Sequence, residues 1–336
     1  MRPGVLLLDE PTSMLDPELA ADVRAAVIDV VRRRGSTLVV VEHRIEPWVD
    51  LVDRVVVLGD GGRVVADGEP SRVLAENARS LAAQGIWVPG EPDPDPVDLD
   101  SDLVAPHTPA RGPVVEATGI VVRHTSRLGG GGRRTTLALD GVDQRLDAGR
   151  LLAVTGRSGA GKSTLVGVLA GLLKPTAGQV CGAGPDKPLW SWRSRVLAGH
   201  LAWVPQQPEH GVVTTTVRDE VLTAARAVGR AQWAERRADR LLDALGVGHL
   251  AAANPYQVSG GEQRRVMVAA ALAHGPAALL LDEPTVGQDR LTWAAVTGAA
   301  ASARDAGAAV AVATHDLLAV SSVADDRTRL SRGRRT

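Results

Sequence analysis

Cysteine, phenylalanine and long apolar runs are what this sequence most lacks. The 336 residues include one cysteine, Cys181, one tyrosine and no phenylalanine. A single cysteine excludes a disulfide framework and any multi-cysteine metal or iron–sulfur site, which fits a reducing cytosol. The longest apolar stretches, such as Leu38–Val41 and Ala308–Ala313, are far shorter than the ~20 residues of a membrane-spanning helix. The sequence therefore predicts no transmembrane segment.

The charged residues of the chain nearly balance. There are 38 Lys and Arg against 39 Asp and Glu, for a formal net charge of −1. No global field draws such a chain to nucleic acid or acidic lipid, so we expect no nucleic-acid partner. Near the start, Asp9 and Glu10 cut short the apolar run Val5–Leu8, and we expect no secretory signal.

An internal repeat organises the chain. The sequence LLLDEPTSMLD at residues 6–16 recurs as LLLDEPTVGQD at residues 279–289. Each copy leads through a helix-like stretch to an apolar strand that ends near a histidine, His43 in the first copy and His315 in the second. Short apolar runs that alternate with helix-forming stretches are typical of βαβ units with buried parallel strands. The predicted fold class is therefore α/β.

A segment rich in proline and acidic residues separates the two copies. Pro89–Pro113 begins PGEPDPDP and has too little apolar content to pack, so we expect an extended interdomain linker. The predicted division is a first domain at residues 1–88, a linker at 89–113 and a second domain at 114–336.

A phosphate-binding loop is predicted in the second domain. Leu151–Thr155 is typical of a buried strand, and the GRSGAGKST that follows matches G-x-x-x-x-G-K-[ST] between a strand and a helix. Its backbone N–H groups and the following helix N-terminus suit phosphate oxygens. Lys162 is expected to reach the β- and γ-phosphates of ATP, and Ser163 to hold Mg²⁺. The predicted ATP-binding residues are Gly156, Arg157, Ser158, Gly159, Ala160, Gly161, Lys162, Ser163 and Thr164.

Two acidic residues follow the apolar strand Ala278–Leu281. Asp282 is placed to hold Mg²⁺ through water, and Glu283 is the candidate general base or water-orienting group for attack on the γ-phosphate. Paired acids at a strand end can also form nothing more than a turn, particularly before Pro284. The pair therefore needs the other motifs to indicate an active site.

The segment VSGGEQRR at residues 258–265 resembles the signature sequence of ABC ATPases. The order of motifs also matches that family, with the P-loop first, then Gln206, the signature, the acidic pair and His315. The resemblance implies a P-loop NTPase of the ABC ATPase type, with a mixed sheet core and a helical signature subdomain. It implies that Gln206 contacts Mg²⁺ and the membrane partner, and that His315 contacts the γ-phosphate. The signature residues that would bind a γ-phosphate are Ser259, Gly260, Gly261 and Glu262.

Two positions depart from the family pattern. Glu262 stands where the signature usually has Gln, a change that several branches of the family tolerate. His124 lies near the place where family members stack an aromatic residue on adenine, and no Tyr, Phe or Trp is near it in the sequence. We therefore expect adenine stacking to be weaker or to come from elsewhere.

The first copy is incomplete by comparison with the second. In the family, two domains enclose two ATP molecules, each between the P-loop of one domain and the signature of the other. The first copy begins at its Asp-Glu strand, and about 160 residues that would carry a P-loop, a Gln loop and a signature have no counterpart. We expect the missing half to be encoded upstream or the second domain to pair with another chain. The first-domain residues that match are Asp9, Glu10, Asp16 and His43.

Short stretches resemble one branch of the family, the energy-coupling-factor importers. They are QPEH at 207–210, TVRDE at 216–220 and EHR at 42–44. The resemblance implies a peripheral ATPase on the cytoplasmic face of a membrane, which powers a separate permease for a vitamin, metal ion or precursor. Two alternatives stay open: a soluble ABC ATPase that acts on ribosomes or nucleic acid, and an inactive remnant. The acidic linker disfavours the first, because it would repel phosphate backbones.

Overall fold

The structure, a computed structural model that describes residues 4–13, 15–127 and 133–336, divides into two units. The first copy of the repeat lies in unit 1, and the second copy has residues 279–285 in unit 2 and residues 286–289 in unit 1. Unit 1 comprises Met1–Asp95 and Val286–Ala294, and unit 2 comprises Pro96–Thr285 and Ala295–Thr336. Within the described residues no helix combines the length and the apolar character needed to cross a bilayer.

The described residues of unit 1 form two small sheets, two complete α-helices and the start of a third. Its elements are β1 (Val5–Asp9), α1 (Pro17–Arg34), β2 (Thr37–Val41), β3 (Val55–Leu58), β4 (Val64–Gly68) and α2 (Pro70–Ala83). β1 and β2 pair in parallel, and β3 and β4 pair antiparallel. α1 begins where the Asp16 carboxylate accepts the Leu19 N–H at 3.0 Å, and it ends at Gly35 in the left-handed conformation. These are the usual start and stop signals of a helix.

Unit 2 holds the larger core. Its helices are α3 (Ser101–Val104), α4 (Lys162–Leu169), α5 (Ser194–His200), α6 (Val217–Val228), α7 (Ala231–Ala244), α8 (Gly260–Ala273), α9 (Arg290–Asp305) and α10 (Leu317–Val323), of which α9 begins in the segment assigned to unit 1. Its strands are β5 (Pro113–Arg127), β6 (Arg133–Asp147), β7 (Leu151–Thr155), β8 (Ala177–Gly182), β9 (Leu201–Val204), β10 (Ala278–Asp282), β11 (Ala309–Ala313), β12 (Asp326–Ser331) and β13 (Arg334–Arg335).

A six-stranded sheet with the order β13-β12-β7-β11-β10-β9 forms the centre of unit 2, and a three-stranded antiparallel sheet with the order β6-β5-β8 accompanies it. The central sheet is parallel except for the β12–β13 pair. In β10, Leu279 and Leu281 join the core that contains α6–α9, while Ala278 and Leu280 join the opposite core that contains α4. Because both faces are buried, the strand is apolar without alternation.

The proline-rich linker is packed, whereas we expected it to be extended. From Pro96 onward it belongs to unit 2, where Leu99, Leu103 and Val104 are buried in the same core as α7 and α8. The Leu99 N–H also donates to Ser302 Oγ of α9 at 3.0 Å. These apolar side chains, placed among the acids, stabilise the packed segment because each removes nonpolar surface from water.

Charge pairing supports the same packing. Arg240 of α7 lies 2.9 Å from a carboxylate oxygen of Asp100 and 2.7 Å from one of Asp102. Gly298 of α9 lets the linker backbone approach closely, since a Cβ there would overlap Val97. Asp100 and Asp102, which are among the acidic residues that predicted a solvated linker, therefore help to attach the linker to α7.

Candidate active site

The P-loop sits where the sequence places it, between β7 and α4. Gly156 and Gly161 have φ values of 145° and 105°. A Cβ at either position would overlap a backbone carbonyl, that of Leu330 for Gly156 and that of Ala138 for Gly161. Glycine is required here both by the conformation and by the space. The predicted residues Arg157, Ser158 and Gly159 form the exposed outer part of the turn, and Lys162, Ser163 and Thr164 open α4.

Lys162 and Glu283 form a buried ion pair at the centre of the site. The Lys162 Nζ lies 3.0 Å from Glu283 Oε1 and donates to the carbonyl of Gly156 at 3.0 Å. Both side chains are less than a tenth exposed. Burial opposes ionisation of Glu283, but His315 and Lys162 together hold its pKa below the usual value. A carboxylate next to the P-loop lysine can act on a water at the γ-phosphate.

Asp282 lies beside the P-loop serine. Ser163 Oγ donates to Asp282 Oδ1 at 2.9 Å. Burial, followed by the neighbouring charge of Glu283, raises the pKa of Asp282, against the hydrogen bond from Ser163. The P-loop, the end of β10 and the Asp282 side chain therefore lie together where the C-terminal ends of the central strands meet.

His315 completes this group. Its Nδ1 lies 3.2 Å from Glu283 Oε2, and its backbone N–H donates to the same oxygen at 3.2 Å. The contact arises because β10 and β11 are parallel neighbours, so residues just beyond their ends lie side by side. Glu283 itself has a φ of 46°, and its backbone N–H donates to the carbonyl of Ala313 at 2.8 Å. A non-glycine residue in this conformation is unusual and typical of functional sites.

Gln206 follows β9, the edge strand next to β10. Its carbonyl accepts a hydrogen bond from Arg264 of α8, and that of Pro205 accepts another at 2.8 Å. Arg264 is buried, and burial lowers its pKa to about 10. Sequence reasoning missed this positioning role. The available signal was the pair Arg264 and Arg265 just before the apolar run VMVAAALA of the signature helix.

The signature residues begin α8. Ser259 Oγ accepts the Glu262 N–H at 3.3 Å, and the Glu262 carboxylate accepts the Ser259 N–H at 2.7 Å. This reciprocal pair is a capping box. It gives a physical reason why glutamate fits this position, and it leaves Gly260 and Gly261 in the first turn of the helix, whose N-terminus carries partial positive charge.

The first copy reproduces part of this geometry. Glu10 has a φ of 41°, and its backbone N–H donates to the carbonyl of Val41 at 2.9 Å. His43 Nδ1 lies 3.4 Å from Glu10 Oε1, and this contact lowers the pKa of the carboxyl group. Asp9 ends β1, and Asp16 caps α1.

Comparison with known proteins agrees with the geometry. Residues 139–286 match the family model described as ABC transporter. The cbiO1 structure from Clostridium perfringens, described as part of the ABC transporter complex cbiONQ, aligns with a TM-score of 0.54 and 25% identity over 67% of this chain and 88% of that one. Residues 139–286 therefore resemble the ABC transporter family, and unit 2 has the fold of an ABC ATPase. Unit 2 is called the ABC domain below.

Relatives with longer sequences extend the likeness to the first copy. The chain is 35% identical over 333 residues to a Bacillus subtilis protein provisionally named HMP/thiamine import ATP-binding protein YkoD, covering 97% of this chain and 60% of that protein. It is 31% identical over 351 residues to the Streptomyces coelicolor ABC transporter ATP-binding protein SCO2324, also provisionally named, covering 94% and 62%. The chain thus spans about 60% of the length of these relatives.

A second solved ABC cassette shows the fold alone. MJ0796 in a dimeric post-hydrolysis state, bound to ADP and Pi, aligns with a TM-score of 0.54 and 24% identity over 66% of this chain and 97% of that one.

Proposed function

We propose that this chain binds and hydrolyses ATP in its ABC domain and thereby powers transport of a small solute through a separate membrane permease. The observation that carries the proposal is the meeting of Lys162, Ser163, Asp282 and Glu283 at one edge of the sheet. Each residue has the chemistry that phosphoryl transfer needs.

Each side chain of the ABC domain then has a distinct task. Lys162 moves from the Glu283 carboxylate to the β- and γ-phosphates when ATP binds. Glu283, released from that ion pair, orients the attacking water and takes up its proton. His315, 3.2 Å from Glu283, steadies the γ-phosphate and the carboxylate together. Gln206 lies on the backbone segment that Arg264 fixes, where a permease contact could alter its position.

The donors present suit magnesium. Asp282 and Ser163 offer a carboxylate and a hydroxyl oxygen 2.9 Å apart, and Mg²⁺ prefers one or two such oxygens together with phosphate and water. Ser163, Asp282 and Gln206 would hold the ion, which would neutralise phosphate charge.

Exposed apolar side chains on both sides of Gln206 along the chain support a membrane partner. Trp203, Val213 and Tyr256 remain exposed, and the Tyr256 hydroxyl donates to the carbonyl of Val212 at 3.2 Å. Glu220 accepts the N–H groups of Val213 and Thr214, which fixes the same loop. Exposed apolar side chains on a rigid loop fit a contact with permease helices, and such a partner would place the protein at the cytoplasmic face of the membrane.

The proposed branch of the ABC family rests on similar proteins as well as on the residues of this chain. The likeness to YkoD and cbiO1 supports an energy-coupling-factor importer, and a vitamin, metal ion or precursor as the solute. We also propose that a second ATPase half completes the motor, either upstream in a longer polypeptide or in another chain. The exposed strands of the first copy support this part.

ATP hydrolysis by the purified chain, measured against protein concentration, tests the proposal. If two ABC domains must pair, the rate should rise more steeply than linearly and vanish in Lys162→Ala. Glu283→Gln should lower turnover by at least about 100-fold and retain ATP binding, since a positioned general base contributes roughly 10²–10⁴-fold.

Glu10→Gln is the matched control, because Glu10 has the same backbone geometry and histidine contact as Glu283 but forms no ion pair with a lysine in the described residues. It should leave the rate unchanged. ATP binding with no turnover at any concentration would point to the need for the other ATPase half, and adding that half should restore turnover. Full activity in Glu283→Gln would overturn the assigned role.

A further inference from the structure

A cavity of about 270 Å³ in unit 2 lies at the end of the central sheet remote from the P-loop. Leu201 and Ala277, which stand at the starts of β9 and β10, form part of its wall. The P-loop and Glu283 follow strand carboxyl ends, and in a parallel sheet these lie at the opposite edge. The cavity is therefore distinct from the nucleotide site.

Positive charge dominates this cavity. Its lining includes Arg111 and Arg230 and contains no aspartate or glutamate. Arg230 is half-buried, burial lowers its pKa, and its Nη1 donates to the carbonyl of His274 at 2.9 Å. Within the part of the chain that the structure describes, no ion pair joins either arginine to a carboxylate. A partly desolvated guanidinium that lacks a counter-charge favours an anionic ligand.

The remaining walls are apolar and aromatic. Trp192, Leu189 and Val114 line the cavity. His200 packs edge-on against Trp192, with ring centroids 5.3 Å apart. Taking about 30 Å³ for each water-sized group, the volume suits a molecule of on the order of ten non-hydrogen atoms. A flat apolar body that carries one anionic group matches these walls.

Gly199 in α5 keeps the space open. A Cβ built there meets no atom closer than 3.8 Å, and that atom is Arg230 Nη2. A larger side chain at this position would therefore project toward the Arg230 guanidinium and occupy the cavity.

We propose that this cavity binds a small aromatic anion, a carboxylate or a phosphate monoester, with Arg230 and Arg111 on the anionic group and Trp192 beside the ring. The site belongs to the ABC domain but is separate from ATP turnover. The proposal therefore stands or falls independently of the transport function.

Calorimetric titration of the whole chain with benzoate and with phenyl phosphate tests the site. Benzyl alcohol serves as a neutral probe of similar size, and saturating ADP keeps the phosphate probe out of the P-loop. We expect saturable binding of at least one anion and at least tenfold weaker binding of the alcohol. Arg230→Gln should weaken anion binding at least tenfold, and Gly199→Leu should abolish it.

Retained ADP affinity and an unchanged melting temperature in both variants would show that the domain is folded. If Gly199→Leu does not fold, Gly199→Ala provides the smaller obstruction and should still weaken binding. The proposal fails if neither anion binds at millimolar concentration, if the alcohol binds equally well, or if binding survives both Arg230→Gln and a folded Gly199 variant.

Discussion

The two copies of LLLDEPT have the same backbone and different surroundings. Residues 5–9 of β1 pair with β2 in the same parallel manner in which residues 278–282 of β10 pair with β11. Both copies hold their glutamate at positive φ, 41° in Glu10 and 46° in Glu283. The strands of the second copy are buried throughout, whereas those of the first alternate between exposed and half-buried. The local sequence therefore determines the strand–turn geometry, which both copies share. The burial of the strands depends instead on the elements that pack around each copy.

Leucine truncation should give the largest difference between the copies. Leu280 is fully buried, and its counterpart Leu7 is 72% exposed. Leu280→Ala should lower the free energy of unfolding by about 2–5 kcal/mol, because it leaves a cavity in a packed core. Leu7→Ala should cost less than about 0.5 kcal/mol. Urea denaturation checks both, and an equally large loss for Leu7→Ala would mean that the first copy's sheet is covered in solution.

A change of pH should give a smaller difference in stability between the two units. Burial, with the nearby charge of Arg230, lowers the pKa of His274 in unit 2 from 6.5 to about 4. Between these pH values His274 is protonated in the unfolded chain but neutral in the folded chain. The free energy of unfolding therefore falls as the pH falls from about 6.5 to 4. The loss is at most about 3 kcal/mol.

Hydrogen exchange can follow this loss in each unit. Protection of α8 in unit 2 should decline over the window, and protection of α1 in unit 1 should not follow it. His274→Gln should remove most of the decline in α8. An unchanged pH profile in that variant would refute the assignment to His274.

The helix caps after the two repeats should show the smallest contrast. Asp16 accepts the Leu19 N–H, while Asp289 accepts the N–H groups of Leu291 and Thr292 and the Thr292 hydroxyl. Asp16→Ala should cost about 1 kcal/mol and Asp289→Ala up to about 2 kcal/mol. Thermal melts check the order. The Asn variants, which keep a capping oxygen, should retain most of the stability, and equal losses in Asn and Ala would contradict a capping role.

Much of the second copy could be predicted, because its signals are local. The strand before the P-loop, the loop and the acidic pair depend on consecutive residues, and β7 spans Leu151–Thr155 as expected. The contacts of Glu283 with Lys162 and His315 follow from strand order, which the ABC resemblance supplied and periodicity alone did not.

The rest depended on tertiary packing. Arg264 and Glu220 are charged residues that are buried in the folded chain and form hydrogen bonds with backbone groups. Their positions in the sequence do not indicate this. The cavity beside Arg230 joins residues from the linker, β8, α5 and the start of β10. Composition alone predicted that the linker was too polar to pack, because its buried apolar side chains are scattered among prolines and acids and composition does not give their positions.

The packed linker also determines how the protein can be divided in the laboratory. Between Arg79 and Arg111 the sequence has no lysine or arginine, so trypsin would release an ABC domain that starts at Gly112. That fragment would lack Leu99, Leu103 and Val104 and would expose the apolar surface of α7 and α8 that they cover. A recombinant ABC domain should therefore begin at or before Pro96, since a start at the first strand would give a product prone to self-association.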